Sequence, residues 1–80
     1  MNGKDFDKWC EENATSLERK HCNGLDYVFA TMTDHWIAIF QYNHMCGDNT
    51  YVPLIQSADI EHAVEYIAMR EPVVVPMQRL

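Results

Sequence analysis

Apolar side chains crowd the middle of the chain. From Leu25 to Asn43 it reads LDYVFATMTDHWIAIFQYN. Val, Ile, Phe, Tyr and Trp dominate, and these types suit a pleated surface. Thr33-Asp34 near the centre predicts a turn, as a two-residue loop or a four-residue loop from Met32 to His35. Either loop pairs Thr31 with Trp36. In that register Tyr27 faces Phe40, Phe29 faces Ala38 and Leu25 faces Tyr42 on one side. Val28 faces Ile39 and Ala30 faces Ile37 on the other. A hairpin with one wet side alternates apolar with polar. This one alternates aromatic with aliphatic, so both sides need cover.

The flanks show helical spacing. Phe6, Trp9, Cys10, Ala14 and Leu17 recur every three or four positions and predict a helix from Lys4 to His21. Asn2 suits its N-cap, and Asn23-Gly24 suits its stop. After the hairpin, residues 44–49 (HMCGDN) predict a loop. Thr50 to Ile55 predicts a short strand, with Pro53 marking it as an edge. Ser57 suits the N-cap of a second helix, Ala58 to Arg70, with Ile60, Ala63, Val64, Ile67 and Ala68 as its buried stripe. Pro72 ends that helix. Val73 to Gln78 predicts a last strand.

The predicted order is α-β-β-β-α-β in a single domain, residues 1–80. It is an α+β fold, a two-layer α/β sandwich on a mainly antiparallel sheet. With both helices on the aliphatic hairpin face, Tyr27, Trp36 and Tyr42 stand on the open face, where aromatic rings with polar tips suit an interface; the opposite assignment, with Phe29 and Phe40 as core, stays open. A helix on each face would leave neither bare. The run α-β-β-β-α resembles the double-stranded-RNA-binding domain in element order. That family contacts RNA through basic residues opening its second helix. Here the same place reads ADIEHAVEY, so the resemblance carries no function across.

Charge narrows the partners. The net charge is −6. Lys4, Lys8, Arg19 and Lys20 lie early, Arg70 and Arg79 late, and no Lys or Arg falls between His21 and Met69. That interval holds Asp26, Asp34, Asp48, Asp59, Glu61 and Glu65. Binding to phosphate backbones requires cations that displace counterions, so direct nucleic-acid binding is not expected. An acidic body favours basic protein surfaces. Eighty residues bury only roughly 60–65% of their unfolded surface, so a large uncovered apolar face is informative.

Cys10, Cys22 and Cys46 make an odd count with no secretory segment ahead of them, which predicts reduced thiols in the cytoplasm. No run suits a membrane span. His44 and Cys46, with Asp48, are the tightest group of metal-ligand types, yet the chain has no CxxC or HxxxH pair. No nucleophile–base set, phosphate loop or carboxylate pair can be assembled, so neither enzyme activity nor a cofactor is expected.

These readings predict a small acidic module, an inhibitor or regulator that binds a protein with a basic surface. Phage and mobile-element inhibitors of host defence, anti-CRISPR proteins among them, share this size and acidity. The predicted contact residues are Asp59, Glu61, Glu65, Asp26 and Asp34 for steering, with Tyr27, Trp36 and Tyr42 as anchors. The alternatives are a structural or regulatory homodimer joined through the open sheet face or an edge strand, and a minor metal- or thiol-dependent activity at His44/Cys46.

Overall fold

A computed structural model describes residues 1–45 and 48–70. The order is α1 (Gly3–Asn13), β1 (Ala14–Cys22), β2 (Leu25–Met32), β3 (Ile37–Met45), β4 (Asp48–Ser57) and α2 (Ile60–Met69). The strands form one antiparallel sheet in the order β1-β2-β3-β4. The α+β class and the antiparallel sheet agree with the sequence. The element order differs, α-β-β-β-β-α, and the predicted strand Val73 to Gln78 lies outside the described residues.

The first helix stops eight residues before the expected end. Asn13 closes it by donating from Nδ2 to the Trp9 carbonyl at 2.9 Å. Thr15 and Ser16 are weak helix formers, and the chain turns extended at Ala14. Residues 14–22 then pair with β2 over almost their whole length. That pairing satisfies backbone groups that β2 would otherwise present as an edge. Asn23-Gly24 joins β1 to β2, with φ of 52° and 80°. Two positive φ values in a two-residue loop make the tight hairpin turn that Asn-Gly favours. The dipeptide is a hairpin signal here and not a helix stop.

The central hairpin is shifted by one residue from the expected register. Thr31 pairs with Ile37, Phe29 with Ile39 and Val28 with Phe40. A three-residue loop produces the shift. Met32 N–H donates to the Trp36 carbonyl at 2.7 Å and His35 N–H to the Met32 carbonyl at 2.9 Å. His35 takes the left-handed conformation, φ 73°, which completes a turn-plus-bulge loop. Asp34 Oδ1 accepts from Trp36 N–H at 3.0 Å and braces it. A one-residue slip re-sorts both faces.

Tyr27 and Phe29 now share a face with Ile37 and Ile39, under Ala63 and Ile67 of α2. Val28 and Ala30 share the other with Ala38 and Phe40, under Phe6 of α1. The helices therefore lie on opposite sides of the sheet, giving three layers where two were expected. Residues 27–30 and 37–40 are buried without a break, as strands covered on both sides must be. The bare hairpin face expected from the sequence is not found, because each side of the hairpin packs under a helix of the same chain.

Each helix holds its face differently. The side chain of Asn2 caps α1 by accepting from Asp5 N–H at 2.8 Å. Phe6 stacks on Tyr51 at 3.8 Å between centroids and meets Phe40 edge-on at 5.0 Å. Trp9 meets the same Phe40 at 5.0 Å. β4 is the far edge, as Pro53 predicts, and its register slips opposite Ile39. On the other side α2 is capped by Asp59, which accepts from Glu61 N–H at 2.9 Å. Ser57, the expected cap, is buried two residues earlier and accepts from Asp59 N–H at 3.1 Å.

Candidate functional site

α2 is rotated from its expected orientation. Ala63 and Ile67 are buried and Tyr66 is half-buried, whereas Ile60 and Val64 are 46% and 41% exposed. The C-terminal end explains the rotation. Asn23 Nδ2 donates to the Ala68 carbonyl at 3.1 Å, and Arg70 Nη2 donates to Gln41 Oε1 at 3.0 Å. These two tethers bring Tyr66 and Arg70 down onto the sheet and roll Val64 outward.

The outward roll builds a surface. Ile60 and Val64 sit at i,i+4 spacing and form an apolar ridge along the helix. Glu61 and Glu65 lie beside it, also at i,i+4, and Asp59 stands at the N-terminal end. All three acids are exposed, and among the described residues none of them forms an ion pair. Met69 extends the apolar area at the other end, 78% exposed. Of the predicted contact residues, Asp59, Glu61 and Glu65 therefore come together, around aliphatic neighbours that the sequence placed in the core.

The other predicted contact residues scatter. Tyr27 is 1% exposed and lies beneath α2, so it belongs to the core and is no surface anchor. Trp36, 45% exposed, and Asp34 sit at the β2–β3 turn. Tyr42 and Asp26 pair across β2 and β3 toward the opposite end of the sheet, on the α1 side. There the Arg19 guanidinium lies 4.9 Å from the centre of the Tyr42 ring, and Asp26 bonds His21 Nδ1 at 2.6 Å. The slipped register separates Tyr27 from Tyr42, because it turns their side chains to opposite faces.

A polar group beneath the end of α2 was not foreseen. The Arg70 guanidinium donates from Nη1 to the Tyr66 hydroxyl at 3.2 Å, besides its bond to Gln41. Gln41 Nε2 donates in turn to Asn43 Oδ1 at 3.1 Å. The bond to Tyr66 pushes the Arg70 pKa up against the opposing effect of burial. The Tyr27 hydroxyl adds a smaller push the same way, without hydrogen-bond geometry. The Tyr27 hydroxyl and Arg70 Nε are both buried and have no hydrogen-bond partner among the described residues.

The thiol and metal candidates are placed as follows. Burial, with Asp7 nearby, pushes the Cys10 thiol pKa up, the wrong direction for a nucleophile. Cys22 packs at the margin of the α2-side core. His44 Nδ1 is bonded to Asn49 Oδ1 at 2.7 Å, and Asn49 Oδ1 also accepts from the Tyr42 hydroxyl at 2.9 Å. Cys46 lies outside the described residues. Among the described residues no three His, Cys, Asp or Glu side chains gather as a metal ion requires. No described helix is long and apolar enough to cross a membrane. Comparison of the chain with protein-family models, with curated proteins and with solved structures gives no match.

Proposed function

We propose that this chain is a small acidic protein-binding module, an inhibitor or regulator, whose contact surface is the outer face of α2. One observation carries the reading. Ile60 and Val64 form an exposed apolar ridge beside Glu61 and Glu65, which form no ion pair among the described residues, on a helix that already has a buried face of its own. Such a ridge supplies desolvation energy, and the flanking acids supply steering and register. The matching partner is a protein with a basic rim around an apolar patch. Direct nucleic-acid binding and catalysis form no part of the proposal.

The test is affinity capture with the whole chain, compared with Val64→Asp and with Glu61→Lys combined with Glu65→Lys. The proposal expects a basic partner that Val64→Asp no longer captures. It expects the double lysine variant to associate more slowly, and the wild-type complex to weaken steeply from low to moderate salt. Capture of the same proteins by Val64→Asp would refute it.

A further inference from the structure

We infer that the outer edge of β1 is a strand-addition site for an extended acidic segment of a partner protein, one with two adjacent acids and an apolar side chain two residues after the second. The inference is independent of the α2 surface proposed above. β1 and β4 are the two edges of the sheet. β4 is blunted by Pro53, which has no N–H, and its Tyr51 exchanges main-chain bonds of 2.8 and 2.7 Å with Met1. Asn2 bridges Thr50 beside it. β1 contains no proline and pairs regularly with β2 from Ser16 to Cys22. Among the described residues no strand lies on its outer side. Such an edge is a template for one more strand.

The register shows which backbone groups are free. Met32 N–H points toward β3, where it donates to the Trp36 carbonyl. Backbone direction alternates along an antiparallel strand. Leu25, Tyr27 and Phe29 therefore point toward β1, at their partners Cys22, Lys20 and Glu18. Leu17, Arg19 and His21 are left with N–H and C=O directed outward. Their side chains share the α1 side, because they pair with Ala30, Val28 and Asp26.

Side chains on the edge choose the occupant. Leu17 is 52% exposed. The Arg19 guanidinium rests on the Tyr42 ring, and among the described residues no carboxylate pairs with it. Lys20 stands on the opposite side of the strand, 3.2 Å from Glu18. Opposite charges across a strand pair stabilise it, and like charges oppose it. A second copy of β1 centred on Glu18 or Arg19 sets like charges opposite each other. Charge that wards off most strands admits one of opposite sign. Antiparallel pairing is the slightly more stable kind. A strand running that way past His21 meets Lys20, then Arg19, then Leu17 two residues later. Acids opposite the two cations and an apolar residue opposite Leu17 complete the match.

The experiment follows backbone amide exchange of the whole, dilute chain by NMR. In the free chain Leu17, Arg19 and His21 should exchange quickly, and Glu18, Lys20 and Cys22 slowly. A capped peptide, Thr-Thr-Glu-Glu-Thr-Val-Thr, should slow the first set saturably. With lysine at both glutamate positions it should bind roughly fivefold more weakly. N-methylation of the second glutamate and the valine removes donors that face β1, and should abolish binding. In Arg19→Glu the preference should reverse toward the lysine peptide. Slow exchange at Leu17, Arg19 and His21 in the free chain would overturn the site, because the edge would already be filled. So would undiminished binding of the N-methylated peptide. Equal binding of the glutamate and lysine peptides, or an unchanged preference in Arg19→Glu, would overturn the acidic assignment.

Discussion

Two loop residues with positive φ show how single positions set this fold. Gly24 takes φ 80° in the β1–β2 turn and His35 takes φ 73° in the β2–β3 turn. Glycine occupies that region freely, whereas a side chain there costs about 1–2 kcal/mol. The two sites should therefore respond in opposite directions. Gly24→Ala should lower stability by about 1–2 kcal/mol. His35→Gly should raise it by up to about 1 kcal/mol, since the backbone strain it relieves exceeds the entropy it adds. Urea unfolding of both variants measures this. Equal losses in the two would show that the β2–β3 loop is built differently. Cys10 offers a chemical check at the same scale. Burial and Asp7 raise its pKa, so its alkylation near neutral pH should lag behind that of a small free thiol. It should accelerate only above the ordinary thiol range.

At the scale of elements, the sequence made some boundaries plain and hid others. Asn2 as a cap, Pro53 as an edge marker and the paired central strands were all legible, because each rests on local chemistry. The join between α1 and β1 was not. Ala14 and Leu17 continue the helical spacing of Phe6 and Cys10, so periodicity alone carries the helix onward. The local stop at Asn13, Thr15 and Ser16 is weak as a signal, and pairing with β2, a contact between distant parts of the chain, completes it. The Asn23-Gly24 signal for a hairpin was present, and it matched a helix stop equally well. The orientation of α2 was hidden for a similar reason, since tethers from Asn23 and Gln41 roll it. The two helices should respond unequally to substitution. Phe6 is the one buried residue of α1, and Phe6→Ala should cost about 3–5 kcal/mol. For a chain this size that is a large share of the total, since stability runs about 0.05–0.15 kcal/mol per residue. Val64→Asp should change stability by no more than about 0.5 kcal/mol, as for other exposed positions. Thermal unfolding of both variants checks the contrast. A large loss in Val64→Asp would return that residue to the core.

Across the whole molecule, charge is layered. Arg19, Lys20 and His21 fall on the edge strand β1. Charged side chains on an edge discourage pairing with other chains. Asp59, Glu61 and Glu65 fall on α2, and Glu11 and Glu12 on α1. The apolar interior is divided into two clusters by the sheet. The chain covers its own hairpin on both sides, so the partner contact proposed above lies on the outer surface of α2 and not on the central hairpin. That double cover is the central claim. A nuclear Overhauser spectrum of the dilute protein tests it most directly. Cross-peaks from Phe6 to Phe40 and Tyr51, and from Ile67 to Tyr27 and Ile39, should appear together at every concentration. Loss of either set on dilution, or a pairing of Tyr27 with Phe40 across the hairpin, would contradict it.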